Sequence, residues 1–192
     1  MPHISRGVEY GLHCMLYLSQ SGGGTAPSAQ ELAEFQGISR AFVAKLFTRL
    51  EKAGLVHSAQ GARGGYSLTR SPAEISVLDV VDAIDGRKRL FQCTEIRRRC
   101  AIFADSPPPQ ATRGLCGIHR VMLEAEEAMR GSLAAQTLAD IGESVARTIP
   151  VRFLDQGREW FGAKGAQRTR KAGRRKRSGA DSGAKKGANN DA

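Results

Sequence analysis

The chain has 192 residues, 41% of them hydrophobic, enough for one domain with its own core and an appended segment. No apolar run is long enough to span a bilayer and no charged-then-apolar start resembles a signal peptide, so a soluble cytoplasmic protein without membrane contact is expected. The formal net charge is +10, but ten of the 29 Lys and Arg lie from Ala163 onward against two of the 19 Asp and Glu, which leaves residues 1–162 nearly neutral at +2.

Val8, Leu12, Met15 and Leu16 follow the i, i+4, i+7, i+8 spacing of one helical face, which predicts an amphipathic helix over 5–20, closed by Gly22, Gly23 and Gly24. Ser28, followed three residues later by Glu31, is a capping box, so a second helix starts there with Leu32 and Ala33 inward. Gly37 and Ile38 then make a turn. Ser39 caps a third helix whose Phe42, Val43, Leu46 and Leu50 share a face, while Ser39, Arg40, Lys45 and Arg49 lie outward and Gly54 closes it. Two such helices across a short glycine turn form a helix-turn-helix pattern, although the same pattern also serves as a plain packing unit.

The residues that follow sharpen it. Leu55–His57 and Tyr66–Thr69 read as short strands around a tip of Gln60, Gly61, Ala62, Arg63, Gly64 and Gly65, which is the place of a wing. Glycines there let the backbone approach closely, and the Arg63 guanidinium suits a narrow minor groove or a phosphate. Ser76 caps a fourth helix with Val77, Val80, Val81 and Ile84 inward and Gly86 at its end.

Between 87 and 119 the periodicity is lost, and Pro107, Pro108 and Pro109 bar regular helix from the middle. Three of the four cysteines, Cys93, Cys100 and Cys116, sit in this segment with His119. Next, Ile118, Val121, Met122, Ala125 and Met129 line one face of a long helix, a narrow stripe suited either to a two-fold mate or to the chain's own core. Thr137 caps a last helix reaching Val145. Residues 147–161 are expected to add a short ordered segment. From Ala163 onward the chain lacks aromatic and branched aliphatic residues and is rich in Gly, Ala and Ser, so 149–192 is expected to be a mostly disordered basic tail with non-specific attraction to phosphates.

Thiolates are soft ligands for iron in iron-sulfur clusters and equally for zinc, and the spacing Cys93, Cys100, Cys116, His119 does not select between them. His119 serves as a fourth ligand or as a surface histidine at the start of the long helix. Glu9 and His13 are neighbours at i, i+4 on the first helix, where such a pair is usually solvated. Cys14, at the opposite edge of the apolar stripe, reads as a small core residue. An enzyme such as a thiol oxidoreductase would want a CxxC pair, and none is present.

The run AELAEFQGISRAFVAKLFTRLEKAGLVHSAQGARGGYSLTR, with ISVLDVVDAIDG and three cysteines ending in CGIH, resembles the Rrf2 family of bacterial transcriptional regulators, the group containing iron-sulfur, nitric-oxide and redox sensors. The resemblance covers roughly residues 1–148. It implies a mostly α fold with a small β wing, a winged helix-turn-helix followed by a long dimerisation helix, and a homodimer on a near-palindromic DNA operator, with no enzymatic activity and no small-molecule substrate. It favours an iron-sulfur cluster, 2Fe–2S before 4Fe–4S, with zinc as the alternative. GVEYGLHC further resembles a redox-sensing branch in which Glu and His of the first helix complete the cluster of the other subunit, so Cys93, Cys100, Cys116, Glu9, His13 and His119 are the candidate ligands. Candidate DNA contacts are Ser28, Ser39, Arg40, Ala41, Lys45, Arg49, Gln60, Arg63 and Gly64. Several relatives carry Arg at the position of Gln60, so Arg63 is expected to take over the groove contact. The organisation expected is a DNA-binding domain at 1–86, a cofactor loop at 87–119, dimerisation and C-terminal helices at 120–148 and the tail at 149–192.

Overall fold

Caps place the helices where local chemistry says they must begin. The computed structural model describes residues 4–20, 26–61, 64–103 and 106–184, from 175 onward as backbone only; Gly22, Gly23, Gly24, Arg63 and the end of the basic tail lie outside the described residues. Ser28 opens α2 (Ala29–Gln36) and Ser76 opens α4 (Val77–Asp85), each with both hydrogen bonds of a capping box. Ser39 opens α3 (Arg40–Lys52) by accepting from the Phe42 N–H. Helix α1 (Arg6–Gln20) precedes them, its start pinned to the end of α4 by the Ser5 N–H and hydroxyl donating to the Asp85 carboxylate at 2.8 and 2.5 Å. The α2–α3 turn runs through Gly37 at a left-handed φ of 66°, a conformation glycine adopts without penalty.

After α3, β1 (Val56–Ala59) pairs antiparallel with β2 (Gly65–Leu68) in the register Val56 to Leu68 and Ala59 to Gly65. The strands are therefore displaced from the expected 55–57 and 66–69. Ladder bonds continue to Ala59, where the side chains are exposed and carry no apolar signal. One core serves the whole unit: Met15, Leu32, Val43, Phe47, Leu50, Leu55, Ile75 and Val80 are sealed from solvent.

The segment after Gly86 contains 3-10 turns at Ile96–Arg99 and Ala101–Phe103 and a one-turn helix α5 (Pro109–Thr112). The proline run thus does not bar helix throughout, because Pro109 stands at the first helical position, where a missing N–H costs nothing. Helix α6 (Gly117–Ala134) follows, then α7 (Leu138–Thr148) with the expected Thr137 cap and its Asp140 capping box.

Two features depart from the expected organisation. Helix α7 packs into the core formed by α1 to α4 rather than standing with the long helix: Leu138 is fully buried, Val77 N–H donates to the Gln136 carbonyl at 2.8 Å and Leu138 N–H to the Ile75 carbonyl at 2.9 Å. In addition, residues Val151–Ala184 form one helix, α8, in place of a tail disordered from 149. Its first turns are held by rings that the composition of the tail conceals, with Phe161 and Trp160 at 4.8 and 5.1 Å from Phe35, itself 4.6 Å from Tyr17. Among the described residues no helix is long and apolar enough to cross a membrane.

Because Leu138 closes the core from the far end of the sequence, Leu138→Ala is expected to lower the unfolding free energy by about 2–5 kcal/mol. Urea unfolding followed by circular dichroism measures it; a loss below about 1 kcal/mol would place α7 outside the core.

Candidate nucleic-acid interface and metal centre

Helix α3 buries Val43, Leu46, Phe47 and Leu50, so the remaining positions are turned outward. Ser39, Arg40, Ala41 and Lys45 are all exposed and occupy its N-terminal half, with the Ser39 hydroxyl oxygen engaged as the cap at 3.2 Å from the Phe42 nitrogen. Arg49 is exposed as well, but its Nη1 donates to the Ile84 carbonyl, so it ties α3 to α4 and is only partly available to a ligand. Ser28, at the start of α2, is half-buried, and its hydroxyl and N–H are engaged with Glu31 at 3.3 and 2.7 Å.

In the wing, Gln60 is exposed beside the tip. Gly64 and Gly65 are fixed by contact, not only by backbone freedom. A Cβ on Gly64 would lie 2.1 Å from the Ala59 carbonyl oxygen, and one on Gly65 would lie 2.0 Å from that of Ala26. The Tyr66 N–H donates to the Pro27 carbonyl at 2.8 Å, so the residues before α2 run alongside β2 and the wing stands next to the start of α2. Against the wing's inner side the Tyr66 ring meets Phe47 at 4.3 Å, and burial raises its hydroxyl above the ordinary value. Ser39, Arg40, Lys45 and the wing thus form one polar face over one core.

The cysteine segment lies between α4 and α6. Cys93, Cys100 and Cys116 are half-buried free thiols. Glu95, in the left-handed region at φ 51°, donates its N–H to Cys93 Sγ at 3.4 Å, and its carboxylate takes the Arg97 guanidinium, with Nη2 at 2.9 Å. The same Nη2 reaches the Gly114 carbonyl at 3.0 Å, two residues before Cys116. The Glu95 carboxyl is held below its ordinary value by that hydrogen bond, with Arg98 and His119 contributing; Arg97 is raised by Glu95 first and then by Cys116 and Cys93. Cys93 and the backbone two residues before Cys116 therefore both bond to the Glu95–Arg97 ion pair. His119 also faces the Phe91 ring at 6.0 Å. Neither Glu95 nor Arg97 was singled out from the sequence, although the charged run between Cys93 and Cys100 was legible.

Among the described residues no three His, Cys, Asp or Glu side chains gather into a group able to hold a metal, so Glu9 and His13, both exposed on α1, do not complete the cysteine set within one chain. The donor chemistry nevertheless fits a thiolate-held group. The three cysteines are half-buried and free of disulfides, and the Arg97 guanidinium is bonded within the same segment, to Glu95 and the Gly114 carbonyl. Cys14 differs in every respect. It is fully buried, accepts from Gln36 Nε2 at 3.1 Å, and burial pushes its thiol up to about 12.

Comparison with known proteins follows this geometry. The model of the Rrf2 family, described as an iron-dependent transcriptional regulator, matches residues 4–144. The HTH-type transcriptional repressor NsrR of Streptomyces coelicolor is 28% identical over 139 residues, covering 72% of this chain and 86% of that protein. The solved structure of T. potens IscR is similar with a TM-score of 0.57 and 26% identity, covering 77% of this chain and 92% of that one. That of CymR, the global cysteine regulator of B. subtilis, is similar with a TM-score of 0.57 and 25% identity over 75% of this chain and 98% of that one.

Iodoacetamide at mildly alkaline pH is expected to modify Cys93, Cys100 and Cys116 in the metal-free native protein, and Cys14 only after denaturation. Peptide mass spectrometry decides it, and early modification of Cys14 would show that the α1–α2 contact opens.

Proposed function

Because this chain belongs to the Rrf2 family of DNA-binding transcriptional regulators, we propose that it acts as a dimer that senses redox, nitric-oxide or iron-sulfur status through an iron-sulfur cluster held by its cysteine segment. The observation that carries the proposal is a continuous chain of contacts from the thiols to the recognition helix. The Leu90 N–H donates to Glu126 at 2.9 Å, and Arg130 grips Asp82 through two bonds of 3.0 and 2.7 Å, so the helix that follows the cysteines is fastened to α4. Helix α4 is in turn fastened to α3 by Arg49 on the Ile84 carbonyl. Ordering of the thiol segment then biases the position of α3.

Cys93 and Cys116 would hold the cluster, and Glu9 and His13 of a second subunit would complete four ligands, with Cys100 or His119 competing for one of the places. A 2Fe–2S cluster accepts such mixed thiolate and imidazole ligation, and when bound it supplies one-electron redox chemistry. Arg97, held by the Glu95 carboxylate and the Gly114 carbonyl, places a positive charge beside this segment, which would favour a negatively charged thiolate-bound group. Second-subunit ligation has a surface to rely on: Ile118, Val121 and Met129 on α6 are exposed at 66%, 59% and 37%, an apolar stripe left open by a single chain and suited to a two-fold mate.

On DNA, Ser39 and Arg40, with Ala41 beside them at the start of α3, enter the major groove. Lys45 and part of Arg49 contact phosphates. Ser28 and the start of α2 approach the backbone, and Gln60, Arg63 and Gly64 carry the wing to the adjacent groove.

Protein purified without oxygen is expected to be coloured and to contain iron and sulfide. Colourless, zinc-containing protein would sink the sensing proposal and leave a zinc-stabilised DNA reader; metal-free protein would leave a cluster-free one. Arg40→Ala is expected to reduce discrimination between operator and random DNA by about 1–3 kcal/mol, measured by competition binding. Equal losses on both duplexes would make Arg40 a phosphate contact.

A further inference from the structure

Helix α8 does not leave the domain in an arbitrary direction. Its contacts with α2 run in opposite sequence order: Lys164 Nζ lies 2.6 Å from Glu34, Arg168 lies 3.3 Å from Glu31, and Arg168 Nη2 donates to the Ala26 carbonyl at 2.8 Å. The helix therefore travels antiparallel to α2, from the end of α2 towards its beginning, and passes the residues that precede Ser28. Those residues touch the wing, through the Tyr66 N–H on the Pro27 carbonyl and the Gly65 backbone against Ala26. The anchor is deliberate in its chemistry. Glu31 is buried at 6% exposure and already serves the α2 cap, so the Arg168 guanidinium supplies a charge partner where no water can, and the Trp160, Phe161, Phe35 and Tyr17 rings hold the turns before it.

Beyond the anchor the sequence changes character. Arg170, Lys171, Arg174, Arg175, Lys176 and Arg177 follow within ten residues, with Asp181 the only acidic residue before the helix ends at Ala184. Arg170, Lys171 and Arg174 are exposed. A helix rising about 1.5 Å per residue carries the end of this run, Arg177, roughly 14 Å past Arg168. It leaves from beside the start of α2 and the first residues of β2, next to the elements that approach the DNA backbone and the adjacent groove in the assignment above.

We propose that the second half of α8 is a positioned DNA-backbone arm, docked by the Arg168–Glu31 and Lys164–Glu34 pairs and the aromatic cluster, which extends the footprint of each subunit onto phosphates flanking the operator. It rests on the DNA-reading assignment for α3 and the wing. The partner is the phosphodiester backbone of duplex DNA, without base specificity. Docking matters because a helix aimed by its anchor meets phosphates on one side of the half-site, whereas the same charges on a free tether would sample all directions. The reach of the basic run, about 14 Å past Arg168, corresponds to roughly four base pairs at about 3.4 Å each.

The test uses the full chain on a duplex that it selects from a random-sequence pool, read by hydroxyl-radical footprinting and by the salt dependence of binding. Replacing the six basic residues with Gln is expected to remove protection of the outer flanks while sparing the central footprint. It should also reduce the slope of log K against log salt by about three to five, since each phosphate contact contributes about 0.9. Trp160→Ser with Phe161→Ser keeps every charge and releases the anchor; the slope should largely persist while the flanking protection is lost. Unchanged flanks and slope in the Gln variant would overturn the arm, and unchanged flanks in the anchor variant would overturn its docking. Should the wild-type chain select no sequence and bind no duplex, the DNA-reading assignment itself would fail, and the arm with it.

Discussion

The position of α4 against α1 governs the rest of this molecule. A Cβ placed on Gly11 would lie 2.3 Å from the Ile84 Cδ1 atom, and one on Gly7 would lie 3.3 Å from Cγ2 of the same side chain. The two glycines, one turn apart on α1, form a notch into which Ile84 fits, and the backbones approach closely enough for Val80 and Ile84 to be sealed in the common core. Helical glycine costs about 1 kcal/mol each relative to alanine, so the approach is maintained against local propensity by the apolar area that it buries. From this seat α4 presents the Ile84 carbonyl to Arg49 on one neighbour and Asp82 to Arg130 on the other. The recognition helix and the long helix are thereby referred to a single element.

The ion pairs on that route are unequal. Arg147–Glu143 and Arg158–Asp155 lie on exposed helix surfaces, where such pairs contribute a few tenths of a kcal/mol. Arg130 on Asp82 is bidentate and shielded, and Arg168 on Glu31 meets a carboxylate that is almost wholly buried. The planar two-point contact of Arg130 on Asp82 fixes the orientation of α6 as well as its distance, and Arg168, divided between Glu31 and the Ala26 carbonyl, fixes α8 against α2, while the exposed pairs decorate single helices.

What the sequence made legible was local. The Ser28, Ser39, Ser76 and Thr137 caps, the turn at Gly37 and the apolar faces of α1, α3 and α4 all follow from residues within one or two turns of each other, and the structure has them where the spacing puts them. Cys14 was legible as a core residue for the same reason. What stayed hidden depended on partners far away in the chain. Arg49 reads as a free cation until the Ile84 carbonyl arrives beside it. Leu138 reads as one more apolar residue of a terminal helix until the Ile75 strand segment accepts its N–H. Trp160 and Phe161 are outvoted by the surrounding Gly, Ala and Arg in any window of composition, yet two rings suffice once Phe35 and Tyr17 lie opposite.

Under the proposed sensing function, the irregularity of the thiol segment would have a physical use. A loop built from two 3-10 turns, a strained Glu95 and a one-turn helix holds Cys93 and Cys116 near one ion pair without assembling a closed ligand set. Had the thiols been preassembled, metal binding would change little except local charge. Because ligands still have to be gathered, part of the binding free energy is consumed in ordering the segment, and that ordering is transmitted to whatever the segment is fastened to. It is fastened through Leu90 to Glu126 on α6, four residues before Arg130, whose guanidinium already grips α4. An open ligand set at one end and a two-point clamp at the other allow a small molecular event to act on α3 as displacement rather than be absorbed by the loop.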